Sequence, residues 1–250
     1  KGSASRDACF NCACFDNCFA SSKVRPREMC VLTVHALIIA LPVQRFGLEG
    51  LAKQLSDRRG GCTPEAVADG GGCELVTFAL QRYSTNGDLV AAAAWCIALL
   101  AERTKASERF LRCDASSALV FALRRASLHG SSHVAAQRWG LSAMSVLARN
   151  GQHKGRMVEE GALEVIPSML TNCTEAVLDL ELQVWGMHCI LEFVMDSPDT
   201  AGEALLEAGL IEALRKVRKG RVGGNPRWKE IAAMVFAELD WDLQQPTAAK

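Results

Sequence analysis

Gln137-Arg138-Trp139-Gly140-Leu141 returns as Gln183-Val184-Trp185-Gly186-Met187, and an earlier copy stands at Gln44-Arg45-Phe46-Gly47-Leu48. The copies at 137 and 183 are 46 residues apart and those at 44 and 137 are 93 apart, which leaves room for one intervening unit. Trp95, within Ala91–Leu100, falls near that vacancy, with alanine in place of the Gln-Arg pair. A period of this size marks stacked supersecondary units, each burying its apolar face against the next.

A second marker runs in phase with the first. Val158-Glu159-Glu160-Gly161-Ala162-Leu163 returns as Leu206-Glu207-Ala208-Gly209-Leu210-Ile211, and more weakly as Leu111-Arg112-Cys113-Asp114-Ala115. Each unit therefore reads as a short helix, a glycine turn, a second helix, a polar loop and a long third helix. Glycine suits the turn because left-handed backbone costs it no Cβ clash. In Val134–Arg149 and Leu180–Met195 the apolar residues occupy more than one helical face, as expected of a helix sandwiched between neighbouring units. Thr63-Pro64-Glu65 offers a cap with proline in the first turn, and Thr200-Ala201-Gly202-Glu203 has the spelling of a capping box. The expected units are 27–58, lacking a clear first helix, then 62–104, 107–151, 155–198 and 200–243. Residues 1–26 form a cysteine-rich segment, 27–243 the repeat domain, and 244–250 a tail expected to be disordered.

Units near 46 residues, a Glu-Ala-Gly-Leu-Ile turn at 207–211 and a long third helix ending Ala143–Ala148 resemble armadillo repeats, with HEAT-like packing the nearest competitor. The likeness covers about Arg27 to Trp241. It implies an all-α, right-handed solenoid of three-helix repeats, about four full ones plus a partial one. It also implies that the third helices line a concave face along which partners lie as extended peptides. Exposed residues on those helices are then the candidate contacts: Arg45, Trp95, Arg138, Trp139, Ser142, Trp185, His188 and Glu192. Arginine forms forked hydrogen bonds and tryptophan buries large area at small entropic cost, so both suit anchoring. Trp139 and Trp185 have an alternative role in packing between units, since the adjoining Gly140 and Gly186 favour close helix contact. The Trp-x-x-x-Asn ladder with which importins hold basic signals is missing. Its Trp positions read Ser142 and His188, its Asn positions Val146 and Glu192, and Trp95 is followed by Leu99.

Composition narrows the classes further. Almost half of the 250 residues are apolar, and 28 basic side chains balance 28 acidic ones. No global field therefore draws the chain to nucleic acid. The longest apolar run, Cys30 to Val43, is interrupted by Thr33, His35 and Pro42 and is too short for a span of about 18 residues or more. Seven of the eleven cysteines are scattered singly (Cys30, Cys62, Cys73, Cys96, Cys113, Cys173, Cys189), as expected of reduced, buried thiols and a cytoplasmic or nuclear address. Cys9, Cys12, Cys14 and Cys18 are dense enough to suggest zinc, but one CxxC pair lacks the second pair of the usual frame. Structural thiols are the expected reading, with no metal and no other cofactor.

Arg215, Lys216, Arg218, Lys219, Arg221, Arg227 and Lys229 make a basic stretch without an acid until Glu230. It could dock RNA; it also suits a helix C-terminus before Gly220, where cations complement the dipole. Asp69-Gly70-Gly71-Gly72 lacks the Gly-Lys-Ser/Thr ending of a phosphate loop, and His129 and His133 flank a Gly-Ser-Ser loop without a carboxylate. No catalytic constellation can be drawn. The sequence thus points to a non-enzymatic scaffold or adaptor for a protein or peptide, with no small-molecule substrate. Nucleic-acid binding through residues 215–229, or a structural subunit of a large assembly, are the alternatives.

Overall fold

The computed structural model describes residues 41–57, 63–129, 133–172, 179–195, 198–219 and 222–240. Within them every regular element is helical: α1 (Leu41–Ser56), α2 (Pro64–Asp69), α3 (Gly72–Arg82), α4 (Gly87–Leu100), α5 (Thr104–Arg112), α6 (Ala115–Leu128), α7 (Val134–Ala148), α8 (Gly151–Glu159), α9 (Ala162–Asn172), α10 (Leu180–Val194), α11 (Pro198–Glu207), α12 (Leu210–Lys219) and α13 (Pro226–Glu238), with a 3₁₀ turn at Val222–Gly224. α2–α4, α5–α7, α8–α10 and α11–α13 are four units of short, middle and long helix, and α1 is the third helix of a partial one.

Two ladders stack the units. The third helices α1, α4, α7, α10 and α13 pack on one another in succession, and so do the second helices α3, α6, α9 and α12. Contact is more extensive along the third-helix ladder, so the array curves toward it. That side is concave and the second helices form the opposite, convex side. α7 is buried without a break from Gly140 to Ala148, as a helix between α4 and α10 must be.

The turn between first and second helix is built the same way four times. Gly71, Asp114, Gly161 and Gly209 hold φ of 83°, 59°, 78° and 85°. Three are glycine, for which this region costs nothing. Asp114 has the short polar side chain that best tolerates it, and its carboxylate accepts from Ser117 at 2.8 Å and from Arg156 of the next unit at 3.1 Å. The weaker copy of the sequence marker is therefore the same turn.

The Gln-x-Trp-Gly marker proves to be a clamp between second and third helix. Gln137 is fully buried and donates through Nε2 to the Ala126 carbonyl near the end of α6 at 3.1 Å; Gln183 donates likewise to the Leu170 carbonyl of α9 at 3.2 Å. The Ala126 carbonyl also accepts from the His129 amide at 3.2 Å, so the glutamine takes its second lone pair. One turn on, a Cβ at Gly140 would strike the side chain of Leu123, and one at Gly186 that of Leu170. Glutamine and glycine are thus fixed by one approach of two helices.

Helix starts follow local chemistry. Thr63 caps α2 by accepting from the Ala66 amide at 3.2 Å, as its spelling suggests. Asn86, Asn150, Asp179 and Asn225 cap α4, α8, α10 and α13. The proposed capping box at Thr200 is wrong: α11 begins at Pro198, so Thr200 already lies inside the helix. Proline, with its fixed φ and missing donor, takes the first helical position instead. The third full unit likewise begins at Asn150, earlier than the expected 155.

Cys73, Cys96 and Cys189 are free and buried, and Cys113 is free and half-buried. Burial pushes the Cys73 thiol up to about 12 and those of Cys96 and Cys189 further, so they stay protonated. Cys9, Cys12, Cys14, Cys18, Cys30, Cys62, Cys173, Arg221 and the tail lie outside the described residues.

His153 of α8 joins two units through a closed polar contact. Its Nε2 faces the Ser107 carbonyl at 2.9 Å and its Nδ1 the Ser116 hydroxyl at 2.6 Å. A carbonyl only accepts, so Nε2 carries the proton and Nδ1 accepts from Ser116. Burial, with a smaller contribution from Arg156, holds the ring below its ordinary value of 6.5 despite the Ser107 contact. The unfolded chain therefore takes up this proton first. The stability tied to a neutral His153 is complete above about pH 6.5 and declines as the pH falls below it. Urea unfolding should show an acid limb that is visibly shallower in His153→Gln. Packing gives a second expectation: Gly140→Ala loses roughly 1–2 kcal/mol net against fully buried Leu123, whereas Gly155→Ala, in open space on α8, gains roughly 0.5–1.

Candidate partner-binding face

Because α4, α7 and α10 are sandwiched on several sides, few of their interior residues reach solvent. Those that do fall on one stripe of the concave side: Trp95 and Leu99 on α4, Arg138 and Trp139 on α7, Trp185, His188 and Glu192 on α10. Spacings of three, four and seven keep the α4 and α10 sets each on one helical face, whereas Arg138 and Trp139 are adjacent and about 100° apart on α7.

The stripe is interlocked. Trp95 and Trp139 stack across the boundary between two units, with ring centroids 4.8 Å apart and planes inclined by 17°. The Arg138 guanidinium sits 5.5 Å from the Trp139 ring centre and pairs with Asp179, the cap of α10, at 3.5 Å. On α10 the Trp185 and His188 rings meet at 5.6 Å, tilted by 47°. Burial lowers the affinity of His188 for a proton, reinforced by Arg227 and Arg149 and opposed by Glu192.

Ion pairs tie the ladder from unit to unit. Arg45 of α1 reaches Asp88 at the start of α4 at 2.6 Å and Glu49 at 3.0 Å. Arg149 pairs with Glu192 at 3.1 Å, and Arg227 of α13 with Glu181 of α10 at 2.8 Å. Exposed pairs of this kind contribute about 1 kcal/mol or less each. Their larger effect is on the groove, where each of these arginines is held against a carboxylate of a neighbouring third helix or its cap. Beyond the C-terminal ends of α4 and α7 the stripe opens into a recess of about 520 Å³ lined by Ala101, Glu102, Ser107, Val146, Arg149 and Asn150.

An armadillo-repeats-only protein from Plasmodium falciparum superposes on this architecture with a TM-score of 0.63, over 90% of this chain and 95% of that one, at 13% sequence identity. The fold is of the armadillo type. An engineered protein solved by a structural genomics consortium covers 85% of this chain and 96% of its own at 17% identity, with a TM-score of 0.48, too loose to bear on the fold. Neither a family model nor a curated protein matches the sequence.

Within this armadillo array the sequence-derived candidates separate. Trp95, Arg138, Trp139, Trp185, His188 and Glu192 share the concave stripe, and Arg45 lies exposed on the first helix of the same ladder. Ser142 does not belong to the stripe: it is 3% exposed, inside the stretch of α7 enclosed between α4 and α10. The basic stretch is divided. Arg215, Lys216, Arg218 and Lys219 end α12, whereas Arg227 and Lys229 open α13, with Arg227 held by Glu181. His129 and His133 meet ring to ring at 4.6 Å.

The acidic partners Asp88, Asp179 and Glu181 were missed by sequence reasoning. Their one local signal is a place at or next to the start of a third helix, where a carboxylate favours the dipole. The Trp95–Trp139 contact predicts a measurable coupling: a double-mutant cycle with Trp95→Ala and Trp139→Ala should return about 0.5–1.5 kcal/mol of interaction in urea unfolding.

Proposed function

We propose that the chain is a non-enzymatic scaffold or adaptor that holds a peptide or protein surface along its concave face. The observation that carries this reading is the partly exposed aromatic stripe of Trp95, Trp139 and Trp185 on helices otherwise buried. Large rigid side chains that remain accessible in such a setting are efficient anchors, since little entropy is lost when a partner covers them. The arginines of the groove set register and choice. Arg45, Arg138, Arg149 and Arg227 already hold carboxylates, so a partner gains from them only by offering a better-placed acceptor. An importin-like preference for basic peptides is not part of the proposal, because asparagine is absent from the positions that would fix the peptide backbone.

The test is affinity purification from the source organism with mass spectrometry, run in parallel for the unaltered chain and for Trp139→Ala/Trp185→Ala. A partner retained by the first and reduced at least about ten-fold in the second, at equal helicity by circular dichroism, supports the groove. Partners captured equally by both would refute it. Arg138→Ala should weaken the same partner by a smaller factor, since its guanidinium is committed to Asp179 and the Trp139 ring.

A further inference from the structure

The side opposite the groove carries a repeat of its own. Phe78-Ala79-Leu80-Gln81-Arg82 on α3 and Phe121-Ala122-Leu123-Arg124-Arg125 on α6 share the spelling Phe-Ala-Leu-x-Arg. Each phenylalanine lies seven residues after the left-handed residue that opens its helix, Gly71 or Asp114. Both therefore stand at the same level of two second helices that pack side by side. The Ala-Leu pairs are buried and hold the helices down. The phenylalanines turn outward and are 50% and 49% exposed, and Leu128, seven residues beyond Phe121, is 81% exposed. Phe121, Arg125 and Leu128 follow i, i+4, i+7 and form one outward stripe.

Arginines accompany these rings on both helices, and Glu164 of α9 lies close to Arg124. The Arg125 guanidinium lies 5.5 Å from the Phe121 ring centre and that of Arg82 lies 5.8 Å from the Tyr83 ring centre. Arg124 donates to the Glu160 carbonyl. No aspartate or glutamate occurs between Leu75 and Arg82 or between Ala115 and His129. The nearest carboxylates on their own chain segments, Glu74 and Asp114, stand about 12 and 16 Å from Arg82 and Arg125 and about 6 and 10 Å from Phe78 and Phe121 along the axes, and are engaged by Arg109 and Arg156. In the two following units the phenylalanine position reads Ser168 and Lys216, so the apolar patch is confined to α3 and α6.

We infer that this convex face docks on an anionic lipid bilayer, with Phe78, Phe121 and Leu128 entering the headgroup boundary and Arg82 and Arg125 meeting anionic headgroups. Aromatic and aliphatic tips with arginines beside them are the composition that partitions into that boundary. Shape favours a bilayer over an acidic peptide: the side chains project from the outer, convex ladder of helices rather than lining a groove that would bury a peptide. Because the whole chain is formally neutral, attraction would rest on this local patch and weaken with salt over short range.

The test is co-sedimentation of the full chain with vesicles of phosphatidylcholine containing about one-third phosphatidylserine, against phosphatidylcholine alone. Binding to the anionic vesicles is expected, weaker by at least about ten-fold on neutral ones. Phe78→Ser/Phe121→Ser should reduce it by at least about ten-fold at unchanged helicity, since both rings are half-exposed. Arg82→Gln/Arg125→Gln should reduce it several-fold and flatten the salt dependence. Absence of binding, or binding indifferent to the phenylalanine pair, would overturn the inference. So would capture of soluble poly-glutamate as tight as that of the vesicles, which would assign the face to an acidic protein instead. None of these substitutions lies on the concave stripe, so they leave the groove reading untouched.

Discussion

At Gly140 and Gly186 the third helix leaves the place of a Cβ to a leucine of the second helix, Leu123 or Leu170. Almost everything regular in the molecule follows from that approach. It brings the buried amides of Gln137 and Gln183 within reach of the Ala126 and Leu170 carbonyls near the ends of α6 and α9. A buried glutamine amide without that acceptor would cost about 1–3 kcal/mol, so each glutamine is tied to the carbonyl it reaches. Once each pair is locked, the two helices form a slab whose outer faces must be covered by the neighbouring slabs.

Contacts between slabs are of another kind. Some are polar and individually specific: His153 with Ser107 and Ser116, Arg156 with the Leu111 carbonyl and Asp114. Others are exposed ion pairs or an aromatic stack, and they change from one boundary to the next. Arg45–Asp88 joins the first pair of third helices, Trp95–Trp139 the second, Arg138–Asp179 and Arg149–Glu192 the third, and Arg227–Glu181 the fourth. A solenoid tolerates this variety because each boundary needs only to match locally.

That difference explains what the sequence discloses. The clamp imposes the same residues in successive units, so Gln-x-Trp-Gly and the glycine turn are visible as repeats and lead to the fold. The stripe is visible in part: tryptophan and arginine on third helices mark it, but their mutual engagement depends on residues of the next unit. Ser142 shows the limit, because the spacing that exposes His188 on α10 leaves Ser142 buried on the more enclosed α7. Phe78 and Phe121 escaped notice for another reason. Their separation is 43 residues rather than 46, and only the turn at Asp114, a glycine position without glycine, brings them into register.

The two faces thereby acquire opposite chemistry. On the concave side the arginines are matched by carboxylates and the aromatic rings touch one another. On the convex side Arg82 and Arg125 have aromatic rings beside them and no carboxylate nearby on their own helices, and Phe78, Phe121 and Leu128 lie open. An exposed apolar ridge of this kind is an association liability unless something covers it. Polar residues at the equivalent positions of α9 and α12 show that the fold does not require apolar ones there. Packing therefore accounts for Ala79, Leu80, Ala122 and Leu123, and leaves the two phenylalanines to be explained by what lies outside the chain.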